Sequence, residues 1–322
     1  MARENRRISF ACSSSGLSVP YVCFGDPESC SPARPADNLA AERMCGPIQG
    51  NTGELMEIKA IIFDLDDTLI ADESVSRMAF EEVGTKAARF GVKKGEFVRD
   101  CQTLAHGLWT SGPCYAYCES IGISAFECLW GQFSDEQEEL QKLRSWAIPF
   151  REAVFSGALR QQSSKISHSH SVGSELSEEF GKARRKFQKL MPSAKEVLAC
   201  LYPHYRLGML TNGAPSLQRE KIAASGLEPF FQAITISGEK GIGKPMAEIF
   251  FQLVAELDTL PSEVIMVGNS KERDIAGACN AGIRSVWLRA FESGDLQPQP
   301  QAEISALREL PALVMEMNAF SS

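Results

Sequence analysis

From Lys59 onward the chain is punctuated by five short apolar runs, KAIIFD (59–64), YRLGMLT (205–211), QAITIS (232–237), EVIMVG (263–268) and RSVWL (284–288). The central runs are continuous rather than alternating, which is the pattern of strands covered on both faces. Between the later runs, residues 215–224, 247–257 and 274–281 read as helices. Strand, helix, strand in succession predicts right-handed crossovers and an α/β fold with a doubly wound, Rossmann-like parallel sheet.

The first interval breaks that rhythm. Residues 71–204 separate the first run from the second and are rich in helix formers, with Met78, Val83, Ala87 and Phe90 at helical spacing. This predicts an inserted α-helical cap domain, residues 71–190, seated on one end of a core built from residues 57–70 and 191–322. Within the cap, SSKISHSHSVGS (163–174) reads as a flexible joint, and residues 182–190 resume a basic amphipathic helix. Beyond residue 290, DLQPQPQAE reads as a linker and ISALRELPALVMEM as a packing helix.

Residues 1–56 have no sustained period and are read as a disordered or non-native extension. Arg3, Arg6, Arg7 and several Ser weakly resemble an organelle transit peptide, but no apolar segment suited to secretion follows. The favoured reading takes Met56 as the natural start, two residues before the first strand.

Composition narrows the class without naming a chemistry. The 322 residues are 44% hydrophobic and 23% charged with a formal net charge of −8, a balance that points to no nucleic acid and no membrane as standing partner. No apolar run approaches the roughly 20 residues of a membrane-spanning helix, so a cytoplasmic protein, monomer or homodimer, is expected. Ten cysteines lack paired spacing and are read as free thiols. His168 and His170 are only two imidazoles in a Ser-rich stretch and are read as a solvated loop.

In open parallel sheets, chemistry collects beyond the carboxyl ends of the strands. Polar residues follow four of the five runs: Asp64, Asp66 and Thr68; Thr211, Asn212 and Gly213; Lys244 in GIGKP; and Asn269, Ser270 and Asp274. Phosphoryl transfer explains such a set. Asp64, first after IIF, can attack phosphorus to give an aspartyl-phosphate. Asp66, two residues on, suits general acid and then general base. The Thr211 hydroxyl, the Asn212 N–H and the Lys244 ammonium can donate to the equatorial phosphoryl oxygens.

A phosphate dianion does not approach clustered carboxylates unaided, so a hard divalent cation, Mg²⁺, is expected. Its ligands are read as Asp64, the backbone carbonyl of Asp66, and Asn269 or Asp274. Asp67 is read as a loop-orienting cap, and the cap residues Trp109, Trp130, Trp146 and Arg144 are not taken as site residues. GIGKP lacks the GxxxxGK[ST] pattern of a nucleotide P-loop.

DLDDT (64–68), LTN (210–212), Lys244 before Pro245, and VGNSKERDI (267–275) together resemble the four ordered motifs of the haloacid dehalogenase superfamily phosphatases. The resemblance spans about residues 57–290, and the helical insertion is similar to that family's cap. TNGAPSLQREKI, ISGEKGIGKP and NAGIRSVWL most resemble the branch containing N-acylneuraminate-9-phosphatase and the pyrimidine nucleotidases. One departure is Asn269, where the family commonly has Asp. An amide carbonyl can still ligate Mg²⁺, at the cost of one negative charge.

The sequence therefore predicts a hydrolase, a Mg²⁺-dependent phosphatase that cleaves a small phosphorylated metabolite, a sugar phosphate or nucleotide monophosphate, through an aspartyl-phosphate. The alternative is a non-hydrolytic module that binds a phosphoryl ligand or a protein and is weakened at the metal site by Asn269.

Overall fold

In a computed structural model that describes residues 56–162, 168–289 and 298–319, the first strand, β1 (Ala60–Phe63), leads into a helical excursion. Its helices are α1 (Asp72–Ala87), α2 (Lys94–Trp109), α3 (Tyr115–Ile121), α4 (Ala125–Cys128), α5 (Glu138–Gln162) and α6 (Ser169–Lys186). The chain then returns through α7 (Ala194–Leu201), β2 (Arg206–Thr211), α8 (Pro215–Ser225), β3 (Ala233–Ile236), α9 (Ser237–Lys240), α10 (Ala247–Glu256) and β4 (Val264–Gly268). It ends with α11 (Ala276–Asn280), β5 (Arg284–Leu288), β6 (Ala302–Ile304) and α12 (Leu310–Ala319).

The strands form one parallel sheet in the order β3-β2-β1-β4-β5-β6. Continuous apolar runs are required because both faces are covered. Ile61 and Phe63 of β1 pack with Leu198, Leu201, Leu310 and Val314 of α7 and α12 on one side. Ala60 and Ile62 pack with Ile249, Phe250 and Leu253 of α10 on the other. The doubly wound prediction holds.

The insertion carries a core of its own, formed where α1, α2, α5 and α6 pack side by side. Phe180 anchors it, with ring centroids 4.6 Å from Phe80 and 5.8 Å from Phe155. Trp109 and Trp130 are buried, Trp146 is half-buried and Arg144 is exposed. The outgoing and returning connections pair with each other: Ala71 N donates to Lys189 O at 3.0 Å and Met191 N to Leu69 O at 2.9 Å.

Several local expectations change. The tail read as a linker contains β6, whose three residues AEI are too short to stand out by pattern and are fixed by pairing with β5. The joint placed at 163–174 is helical from Ser169, because Leu176, Phe180 and Ala183 give α6 a buried stripe. The helix expected to continue to residue 190 ends at Lys186, and Leu190 pairs with Ile70 instead. The helix expected at 274–281 starts earlier, with a π-helical turn at Lys271–Ile275. Cys101, Cys114, Cys118, Cys128 and Cys200 are free thiols, whereas Cys279 is disulfide-bonded, contrary to the free-thiol expectation. The readings of residues 1–55 fall outside the described residues. Among the described residues no helix is long and apolar enough to cross a membrane.

Candidate active site

Register brings the candidate residues to one edge. Phe63 of β1 is level with Met209 of β2 and Val267 of β4, so the chain leaves all three strands at nearly the same height. Asp64, Thr211 and Asn269 emerge there, and Lys244 reaches in from the loop after α9.

The Lys244 ammonium organises the floor. Nζ donates to Asp64 Oδ1 at 2.6 Å and to Leu210 O at 2.9 Å, and lies 2.7 Å from Asp274 Oδ1. Burial alone would lower its pKa, but Asp274 and Asp64 together raise it, so it stays charged. Asn212 fixes the backbone that carries this lysine: its Oδ1 accepts from Lys244 N at 2.9 Å and its Nδ2 donates to Lys244 O at 3.0 Å. Asp274 Oδ2 accepts from Ser270 N at 3.0 Å. Burial, and then the neighbouring Asp64 charge, push the Asp274 carboxyl up to about 6 despite Lys244.

Thr68 is completely buried, and its hydroxyl lies 3.0 Å from Asp64 Oδ2 and 3.2 Å from Asn269 Oδ1, drawing those two oxygens together. Trp287 Nε1 donates to Asn269 O at 2.9 Å and fixes the loop after β4. Asp67 adopts the left-handed conformation at φ 59° and accepts from Glu73 N at 2.9 Å, tying the site loop to the first turn of α1 as expected of a cap.

Asp66 faces a different set of partners. Its two oxygens each lie 3.0 Å from Lys221 Nζ, and Oδ2 also accepts from Gln218 Nε2 at 2.9 Å. Burial raises its pKa to about 7 against the opposing pull of Lys221, with Asp72, Glu127 and Asp64 adding to the rise. Gln218 Nε2 also donates to Thr211 Oγ1 at 2.5 Å. Gln218 and Lys221 were missed in the sequence, although helical spacing places them in one stripe with Leu217 and Ile222.

The resulting cavity has a volume of about 220 Å³. Asp64, Asp66, Thr211, Asn212, Lys244, Asn269 and Asp274 all line it, so the seven residues expected to act on phosphate or metal are at the same place, while Thr68 lies behind them and Gly213 is not among the lining residues. The cap contributes Asp72, Gly122, Ser124 and Glu127. Gly122, at φ +80°, presses on the floor so closely that a Cβ there would lie 2.7 Å from the Asn212 Cβ. The cap is seated by further contacts: Ser216 N and Oγ donate to Asp135 at 2.7 and 2.6 Å, and Ser237 Oγ donates to Ile121 O at 2.5 Å.

Among the described residues no three His, Cys, Asp or Glu side chains are assembled as a metal cluster. The donors present are instead the Asp64 and Asp274 carboxylates, the Asn269 amide oxygen and the carbonyls of the loop after β1. This all-oxygen set, with Asp64 and Asn269 drawn together by Thr68, fits a hard divalent cation that keeps several waters.

The sequence model of haloacid dehalogenase-like hydrolases matches residues 58–282. Phosphoserine phosphatase of Thermus thermophilus is 39% identical over 255 residues, covering 79% of this chain and 98% of its own. Human N-acylneuraminate-9-phosphatase is 27% identical over 270 residues, covering 82% and 96%. Among solved structures, the magnesium-bound HAD-hydrolase YfnB of Bacillus subtilis has a TM-score of 0.54 at 21% identity, covering 81% of this chain and all of that one. Motifs, sheet order, inserted cap and relatives agree: the chain belongs to the haloacid dehalogenase-like hydrolase family.

Proposed function

We propose that this hydrolase is a Mg²⁺-dependent phosphomonoesterase that acts on a small phosphorylated metabolite through an aspartyl-phosphate. The observation that carries the reading is the convergence of Asp64, Lys244, Thr211 and Asp66 on one cavity at the carboxyl edge of the sheet. A non-hydrolytic module would not require a buried carboxylate held against a buried ammonium with a second, near-neutral carboxyl beside it. The working division is a core of residues 57–70 and 191–322 with a cap of residues 71–190, in a cytoplasmic monomer or homodimer.

An oxygen of Asp64 attacks phosphorus while the bond to the leaving oxygen breaks, and protonated Asp66 gives its proton to that oxygen. Asp66, now ionised, takes a proton from water as the water oxygen bonds to phosphorus. The Asp64 to phosphorus bond then breaks and phosphate leaves. A carboxyl with a pKa of about 7 serves both directions. Lys244 and the Thr211 hydroxyl donate to the oxygens on which charge gathers. Asp64, the Asp66 carbonyl, Asn269 and Asp274 would hold Mg²⁺, which neutralises the repulsion between nucleophile and phosphate when bound.

With the cap seated, a cavity of about 220 Å³ lies below the ~300–1,000 Å³ of ordinary ligand clefts. A short leaving group, the size of the serine in the substrate named for the 39% identical relative, is favoured over a nucleoside. The test is hydrolysis of para-nitrophenyl phosphate, O-phosphoserine and nucleoside monophosphates with Mg²⁺ and with EDTA. Metal-dependent turnover that prefers O-phosphoserine to nucleotides is expected, and turnover indifferent to EDTA would refute the reading.

Asn269→Asp restores a carboxylate beside Thr68 without changing shape. Because cation affinity follows ligand charge, the Mg²⁺ concentration for half-maximal activity should fall by about tenfold, equivalent to about 1.4 kcal/mol. A Mg²⁺ titration of initial rates measures it, and an unchanged midpoint would remove Asn269 from the ligand set.

A further inference from the structure

Lys221 is 1% exposed, yet the reaction above assigns it no task. Its ammonium lies 3.0 Å from both oxygens of Asp66, 2.8 Å from Glu127 Oε1 and 3.4 Å from Asp72 Oδ1. Carboxylates from three segments, the loop after β1, the start of α1 and the short helix α4, thus share one cation. Burial alone would lower the Lys221 pKa, but the three carboxylates raise it, so the side chain stays charged. Arg184 of α6 secures the far side, its Nη2 donating to Asp72 Oδ1 at 2.6 Å.

One turn earlier, Gln218 is completely buried and its Nε2 donates to both Asp66 Oδ2 and Thr211 Oγ1. Among the described residues, Asp66 Oδ2 therefore has two donors and Oδ1 has one. The carboxyl plane is fixed at three contacts, and Oδ1 keeps the freer lone pair. A buried ion cluster is a poor way to add stability, since well-packed apolar side chains do as well or better. Its termination on Asp66 and Thr211 gives the cluster a different purpose.

We propose that Lys221, assisted by Gln218, is the positioning residue of Asp66: it sets the carboxyl at the angle from which Oδ1 passes its proton to the leaving oxygen. By taking Glu127 and Asp72 as its remaining partners, Lys221 makes that placement depend on the seated cap. The inference rests on Asp66 being the proton donor of the proposed reaction. When the proton leaves, Lys221 and Gln218 hold the resulting carboxylate in place for the hydrolytic step.

The test varies the leaving group. Phenyl phosphate and para-nitrophenyl phosphate are nearly the same size, but phenolate needs a proton to depart and nitrophenolate does not. The first chemical step, which governs kcat/KM, should be compared in Asp66→Asn, Lys221→Met, Lys221→Arg and wild type. Lys221→Met should lose roughly 30- to 100-fold in kcat/KM on phenyl phosphate but less than about fivefold on para-nitrophenyl phosphate. Lys221→Arg should recover most of the loss, and Asp66→Asn should show the same contrast more strongly. If Lys221→Met does not fold, Gln218→Met carries the same comparison. A Lys221→Met enzyme with wild-type rates, or with an equal loss on both esters while Asp66→Asn retains the contrast, overturns the positioning role alone. No contrast in Asp66→Asn overturns the acid assignment and this inference with it.

Discussion

Asp64→Asn should abolish phosphatase turnover by roughly 10⁴-fold or more while leaving the fold intact, because in the proposed mechanism it removes the oxygen that attacks phosphorus and little else. The replacement is the same size. Its amide oxygen can turn toward Lys244 Nζ, now 2.6 Å from Asp64 Oδ1, and its NH₂ can donate to the Thr68 hydroxyl. Lys244 keeps Asp274 as a charged partner at 2.7 Å, so no buried ammonium is stranded. The melting temperature should therefore stay within a few degrees of wild type, since about 1 kcal/mol moves a chain of this size by roughly 2–4 °C. Steady-state hydrolysis of para-nitrophenyl phosphate, with a thermal melt on the same preparation, separates chemistry from folding. A variant that keeps the parent rate means that another group attacks phosphorus. A variant that is both inactive and unfolded does not test the nucleophile, and Asp64→Glu, which retains the charge but misplaces it, then takes its place.

The parts of the fold legible in the sequence are those in which burial is local. IIF and VIMVG are covered on both faces, so every position must be apolar and the runs stand out without reference to any partner. The polar residues that end each run are legible for a related reason: a polar group directly after a buried apolar run marks the sheet edge, and Asp64, Thr211 and Asn269 meet there. Strand β6 was not legible, because three residues next to a Gln- and Pro-rich stretch acquire strand geometry only from β5. The Lys221 cluster was not legible either. Asp66, Asp72, Glu127 and Lys221 are brought together by tertiary packing across 155 positions of chain between Asp66 and Lys221. In SLQREKI a lysine reads as part of a solvated face. Only the stripe it shares with Leu217 and Ile222 hints that it points inward.

Lys244→Met should cost both activity and stability, and the two losses should respond differently to metal. The ammonium is shared by Asp64 and Asp274 and is nearly completely buried, so removing it leaves two enclosed carboxylates facing one another. Breaking a buried pair in this way costs about 3–5 kcal/mol, a fall in melting temperature on the order of 10 °C. Turnover should fall by roughly 10³-fold, because the donor that the proposed mechanism directs at the phosphoryl oxygens is gone. The pH dependence has a definite sign. Asp274 already titrates at about 6, above the ordinary carboxylate range near 3.9, because burial and Asp64 oppose its charge. Without Lys244 its pKa rises further. The penalty is absent below the unfolded value and grows as the pH climbs from there through the folded one, so the variant should regain stability on acidification from pH 8 to 5. Mg²⁺ should act in the same direction, since a divalent cation becomes the main charge left to separate the carboxylates. The Mg²⁺-induced rise in melting temperature should therefore be larger in Lys244→Met than in wild type, while activity stays lost. Thermal melts with EDTA and with Mg²⁺ at pH 5 and 8 measure all three effects. A variant as stable as wild type with an unchanged response to metal would show that Asp64 and Asp274 do not depend on this ammonium.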